Sequence, residues 1–235
     1  ALLADVALKL LSDDRAIRNL FLERGVLAQA RGKLVHIVAS TISVAFADEL
    51  VEYHRAAKIG YVAAPVLGRP DVAARGELQV LAAAAPAALE TVRPILEVIG
   101  KRIWDMGAEP PTAYAAKLAC NMMITMAIEA MAEAVVLTES HGLVRGRFFD
   151  LILHTLFGGR SYEVYSANIM HERYEPGFKA SLGLKDLRLA HAAAEQLGRN
   201  LPMLDAVRQR MDEAVSAGGG DRDWSVMADY TIRLA

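Results

Sequence analysis

In "YAAKLACNMMITMAIEAMAEAVVL", residues 114–137, only Lys117, Asn121, Glu129 and Glu133 carry a charge or an amide. The stretch contains neither Pro nor Gly, and its Ala, Leu, Met and Glu are good helix formers, so it reads as one long helix. At about 100° per residue, Lys117 and Asn121 fall roughly 40° apart on one face, with Glu129 and Glu133 roughly 120° and 160° round from the lysine. A Lys–Asn pair on so apolar a surface either sends its amine to water along an aliphatic stem or serves a site. The chemistry it could serve is proton transfer. An amine in a partly desolvated setting has its pKa pushed down towards working pH, where it can remove a hydroxyl proton or supply one. The asparagine amide, one turn on, can hold a hydroxyl or a carboxylate.

Two segments of different pattern must position this pair. Up to about residue 106, short β-rich runs alternate with helices. "DVALKLL" predicts a strand and "SDDRAIRNLFLERGVLAQA" a helix opened by Ser12 or Asp13. "KLVHIVAS" predicts a second strand, and "TISVAFADELVEYHRAAK" a helix with Ser43 as N-cap and Gly60 as its stop. "YVAAPV", "GELQVLAAA" and "KRIWDM" read as further strands and "APAALETVRPILEVIG" as another helix. Strands alternating with helices argue for a mostly parallel sheet. After Gly107 the strands stop, and six segments with helical spacing follow, separated by turns such as "FGGR", "YEPG" and "GGGD". The expected organisation is an α/β domain over 1–106, a partial Rossmann-like doubly wound sheet, and an all-helical bundle over 107–235, joined by the long helix. No G-x-G-x-x-G follows a first strand, although a doubly wound nucleotide domain normally opens with one.

Composition narrows the partners. The 235 residues suffice for one or two domains with a sizeable core. With 26 basic against 28 acidic residues, nothing points to nucleic acid or an anionic membrane. The single cysteine, Cys120, excludes an internal disulfide and fits a reducing compartment. The most apolar window carries a lysine, an asparagine and two glutamates, too polar for an ordinary membrane span. No secretory leader pattern opens the chain, and the expectation is a cytoplasmic protein. The six histidines are scattered in sequence without ligand spacing, so no metal is expected.

Three stretches taken in order, "YVAAPVLGRPDVAARGEL", "AAKLACNMM" and "FKASLGLKDLRLA", resemble the β-hydroxyacid dehydrogenases. That family includes 3-hydroxyisobutyrate dehydrogenase, tartronate semialdehyde reductase and glyoxylate/succinic semialdehyde reductase. "LLSDD", "STIS" and "DRDWSVM" extend the resemblance over essentially the whole chain. It implies an NAD- or NADP-dependent enzyme, with a fingerprint glycine loop lying before the equivalent of "LLSDD". It also implies that Lys117 is the catalytic acid/base and that Asn121 holds the substrate. Leu11 and Ser12 would pass beneath the adenosine side of the cofactor, and Thr41 would meet its nicotinamide end or the substrate. Capping is an alternative for Ser12 and Thr41, and the preferred account of Ser43. The family's carboxylate-gripping loop usually reads D-A-P-V-S-G-G. Here Ala63 and Leu67 replace its aspartate and serine, Gly68 remains, and Arg69 replaces the second glycine. Leu67 has no side-chain donor, which puts simple 3-hydroxyisobutyrate chemistry in question; Arg69 is a possible carboxylate clamp. Phe178 would form an apolar wall, Lys185 would approach the nicotinamide, and Asp186 would fix the neighbouring site lysine.

The expected function is hydride transfer between nicotinamide and a small β-hydroxyacid or its semialdehyde. The alternatives are imine reduction on the same scaffold and a catalytically silent cofactor-binding module, branches in which the lysine is generally lost. Because the long helix is apolar on several sides, a homodimer or homotetramer through the helical domain is expected.

Overall fold

The structure, a computed structural model, describes residues 4–23 and 34–235. The chain divides into two compact units, Ala1–Ala119 and Cys120–Ala235, and the division falls within one long helix.

In the first unit, strands β1 (Val6–Lys9), β2 (Val35–Val38) and β3 (Gly60–Ala63) form a parallel sheet in the order β1-β2-β3. A second sheet runs β4 (Val66–Leu67), β5 (Leu78–Ala82) and β6 (Gly100–Asp105), with β4–β5 antiparallel and β5–β6 parallel. Paired Ala63 and Ala83 backbone hydrogen bonds of 3.1 and 2.9 Å join the two. The expected strand "YVAAPV" is thus split into β3 and β4 on either side of Pro65, whose missing N–H interrupts the ladder. Successive β2 side chains alternate between two cores. Val35 and Ile37 join Val62, Val80, Val92 and Leu96 on one face; Val38 joins Ile17, Phe46, Leu50 and Tyr114 on the other. Burial of both faces is what a crossover-connected parallel sheet requires.

Helix α1 (Asp14–Ile17) starts at Asp13, whose carboxylate accepts the Ala16 amide, and passes into a π-helical turn, Arg18–Glu23. The rest of that expected helix, 24–30, lies outside the described residues, as does Lys33 at the start of the second expected strand. Helix α2 (Val44–Ala57) is capped by Ser43, which accepts the Phe46 amide at 3.0 Å, as its sequence predicts. Its stop differs from expectation. The left-handed residue is Lys58, at φ 56°, and Gly60 opens β3. There a Cβ would lie 3.1 Å from a Val35 methyl, so any side chain would have to push Val35 aside. A short α3 (Pro70–Ala74) joins the antiparallel β4 and β5, and a longer α4 (Pro86–Ile99) makes the crossover from β5 to β6.

Two histidines far apart in sequence meet in the core of this unit. His36 Nδ1 and His54 Nε2 are 2.8 Å apart, and His54 Nδ1 lies 2.5 Å from the Leu50 carbonyl. That carbonyl can only accept, so His54 carries a proton on Nδ1. Burial keeps both rings neutral, which leaves His54 Nε2 to accept from His36 Nδ1. Burial lowers His36 to about 3, with His54 and Lys9 adding to the effect, and burial lowers His54 to about 4. The rings sit in a stack that continues from Phe21 to Tyr61.

Helix α5 (Pro110–Ser140) begins in the first unit and ends in the second. By length and composition alone it could cross a membrane, but 39% of its most apolar window is buried inside the protein, and Asn121, Thr125 and Glu129 are buried polar residues on it. The second unit adds α6 (Arg145–Leu153), α7 (Arg160–His171), α8 (Ala180–Gln196), α9 (Pro202–Ala214) and α10 (Val226–Leu234). Its core gathers Ile128, Val135, Phe149, Ile169, Leu187, Met211 and Trp224. The polar strip expected on α5 is only half exposed. Glu133 faces solvent, but Glu129 is buried, accepting the Thr231 hydroxyl at 2.6 Å with Arg210 at 3.4 Å.

Candidate functional site

Lys117 and Asn121 lie one turn apart on α5 at 7% and 3% exposure. The amine therefore does not stretch out into solvent. Its helix is held to the sheet by Tyr114, three residues earlier. The fully buried Tyr114 hydroxyl donates to the Val38 carbonyl at 3.1 Å and accepts from Tyr61 at the same distance. Burial raises both phenols far above their ordinary range, so each remains a neutral donor. Val38 ends β2, so Tyr114 fixes the first turns of α5 against the carboxyl end of that strand.

The loops that follow β1 and β2 leave from that same edge, where open parallel sheets bind ligands. Leu11 is partly buried, and its amide donates to the buried Ser40 hydroxyl at 2.6 Å. Ser12 is exposed and hydrogen-bonds Asp13, while Thr41 is half-buried just beyond β2. Hydroxyls and backbone groups thus meet on adjacent strand ends, with Thr41 and Ser12 reachable from solvent. Leu67 lies in β4, paired with Gln79. Gly68 follows in a conformation (φ +152°) where a Cβ would come within 2.6 Å of the Leu78 side chain. The loop at Gly68 therefore brings backbone where a side chain will not fit.

In the second unit, the Asn121 amide donates to Asp186 Oδ2 at 2.7 Å, and Lys185 Nζ sits 3.1 Å from Asp186 Oδ1. Asp186 is 2% exposed, so the Lys185–Asp186 doublet is no surface pair: its acid is interior and its amine is the partly exposed partner. One carboxylate thus brings Asn121 and Lys185 together from two helices. Phe178 packs edge-on against Trp224, ring centroids 4.7 Å apart. Its amide donates to Asp223, and its carbonyl accepts from the Trp224 amide. Trp224 lies in the helical core, with Tyr165 against it.

Several residues that hold these groups escape a reading of sequence alone. Ser40, Asp14, Tyr114 and Asp223 each belong to a common residue type, and their partners are 29 to 76 positions away. In the sequence, Ser12 or Asp13 marked a helix start and Asp14 carried no signal of its own. No group of three or more potential metal ligands occurs among the described residues.

The family model for the NAD-binding domain of 6-phosphogluconate dehydrogenase matches residues 1–107. The model for the NAD-binding domain of NADP-dependent 3-hydroxyisobutyrate dehydrogenase matches residues 112–231. An oxidoreductase of Bacillus subtilis, YfjR, is 36% identical over 95% of this chain and 79% of its own. The L-threonate dehydrogenase of Escherichia coli K12 is 27% identical over 88% of this chain and 69% of its own. Among solved structures, the 3-hydroxyisobutyrate dehydrogenase of Mycobacterium tuberculosis with L-serine superposes with a TM-score of 0.89 at 28% identity, covering 97% of this chain and 79% of that one. An imine reductase from Pseudomonas sp. shares the fold alone, with a TM-score of 0.52 at 15% identity. Matched along both units by the domains of one enzyme group, the chain belongs to the β-hydroxyacid dehydrogenase family and is an NAD(P)-dependent oxidoreductase.

Proposed function

We propose that the protein oxidises a small β-hydroxyacid, or reduces the corresponding semialdehyde, with Lys117 as the acid/base. The observation that carries this reading is the interior placement of Lys117, one turn before an asparagine whose amide is itself anchored by the interior carboxylate of Asp186. Bound NAD(P) accepts or supplies the hydride. In the oxidising direction the neutral amine of Lys117 takes the substrate's hydroxyl proton as the carbon-bound hydrogen leaves with its electron pair. In the reducing direction the ammonium returns that proton to the forming alkoxide, so charge and protons balance. Asn121 orients the hydroxyl. Asp186 fixes the asparagine and holds Lys185; the family resemblance assigns Leu11, Ser12, Thr41 and Lys185 to the cofactor.

With no side-chain donor at Leu67, which packs against the sheet core, a carboxylate bound by this loop would be met by backbone amide. The family resemblance gives Phe178 the part of an apolar wall.

The test is Lys117→Met in the full-length protein. Turnover should fall roughly 10²–10⁴-fold, the usual contribution of a positioned acid/base, while NAD(P)H still binds by fluorescence titration. Undiminished turnover overturns the mechanism. A panel of β-hydroxyacids, semialdehydes and cyclic imines with both cofactors tests the reaction class, and reduction of the imines alone overturns it.

A further inference from the structure

Two bonds tie together the loops that leave the first two parallel strands. Ser40, fully buried directly after β2, accepts the Leu11 amide at 2.6 Å. Asp14 receives Ser43 twice, the amide on one carboxylate oxygen at 3.0 Å and the hydroxyl on the other at 2.6 Å. Both ties link positions 29 residues apart, so they cross-brace the same two segments, 11–14 and 40–43. The brace extends into the helices on each side. Asp14 is the first residue of α1, and the Ser43 hydroxyl that it holds also caps α2 by accepting the Phe46 amide.

Each loop alone would be an ordinary strand-to-helix connection, free to adjust. Bridged at two points, the four residues 11, 12, 41 and 42 become the rungs of one fixed frame. Ile42 is buried between the ties, whereas Leu11, Ser12 and Thr41 keep accessible surface. Helix capping accounts for Ser43 but not for a bidentate carboxylate reaching it from the other loop, nor for Ser40. We infer that Asp14 and Ser40 are positioning residues, which pre-form the cofactor-bearing edge of the sheet by locking the β1 and β2 loops to one another. The inference rests on the cofactor assignment of those loops made above. A pre-formed edge spares the dinucleotide the ordering of two loops when it binds, so the effect belongs in affinity rather than in the chemical step.

The experiment uses the full-length protein and its Asp14→Ala, Asp14→Asn and Ser40→Ala variants, each titrated with NADH and NADPH by fluorescence and assayed for turnover. Loss of either tie should raise both the dissociation constant and the KM of the preferred cofactor roughly 5–30-fold, the equivalent of one or two hydrogen bonds. The kcat at saturating cofactor should stay within about threefold of wild type, on the same affinity-only reasoning. Asp14→Asn, which can still accept the Ser43 amide, should recover part of the affinity. Amide hydrogen exchange in the absence of ligand should show Leu11 losing protection in Ser40→Ala. A merely structural role would lower the unfolding midpoint and leave the dissociation constant within twofold, which overturns the inference. So does a fall in kcat with affinity unmoved. Ser40→Ala removes a single oxygen, so it decides the matter if Asp14→Ala does not fold. Failure of the wild-type protein to bind either dinucleotide would instead defeat the cofactor reading itself.

Discussion

Tyr114 shows how much a single side chain contributes to the placement of Lys117. Its hydroxyl is the middle of a three-member line from Tyr61 to the Val38 carbonyl, in a site with no exposure to water. Replacement by Phe keeps the packing but takes from the Tyr61 phenol its buried acceptor, and leaves the Val38 carbonyl with the Ala64 amide at 3.0 Å alone. Tyr114→Phe should cost about 1–3 kcal/mol, the penalty for buried polar groups left unsatisfied, measured as a lowered urea midpoint with an unchanged slope. Because the same turn carries Lys117, turnover should fall as well, with cofactor affinity little changed. From sequence, Lys117 and Asn121 stood out because charge and amide are rare on that apolar helix. Tyr114 did not, since an aromatic residue on such a surface needs no explanation beyond core packing. The interior position of Asp186 was equally hidden, because a Lys–Asp doublet near a helix start looks the same whether solvated or buried.

At the scale of elements, legibility followed local chemistry. α2 and α4 were readable from their apolar spacing, and the start of α2 from Ser43, because caps and periodicity act within a few residues. The end of α2 was misread at Gly60, since a lysine took the left-handed turn and the glycine opens β3, close against Val35. The His36–His54 pair was unreadable for a different reason: its partners come from a strand and a helix 18 residues apart, and only the crossover brings them together. That pair has a measurable consequence. The folded pKa values, about 3 and about 4, lie below the ordinary 6.5. Above pH 6.5 both states are neutral and the histidines leave stability unchanged. Below it the unfolded chain takes up protons that the core refuses, so stability falls with pH until about pH 4 for His54 and about pH 3 for His36. At pH 5 the loss should be about 2 kcal/mol for each imidazole. Urea denaturation at pH 7.5 and pH 5 measures it. A His36→Phe/His54→Phe variant should flatten the dependence, whereas His54→Phe alone, which strands the His36 donor, should be the less stable of the two.

For the whole molecule, apolar surface is the outstanding feature of the helical unit. Met123 and Leu137 on α5 are 65% and 62% exposed, Leu151 on α6 is 57% exposed and Leu156, just past that helix, 85%. Large apolar side chains exposed in this way are what a contact between copies would cover. A homodimer or homotetramer is therefore the expected state in solution, and light scattering at micromolar concentration should report at least twice the chain mass. A monomer throughout would count against it. One buried carboxylate of the helical unit responds to acid in the opposite sense to His36 and His54. Glu129, buried among α5, α9 and α10 with one oxygen lacking a partner, has its pKa raised chiefly by burial, against the Thr231 hydrogen bond and Arg210. Its own contribution to stability therefore grows as pH falls towards the carboxylate range. Calorimetry should consequently show a single heat-absorption peak near neutrality broadening into two as the buffer is acidified. The earlier peak would report the sheet melting around its imidazoles while the helices hold.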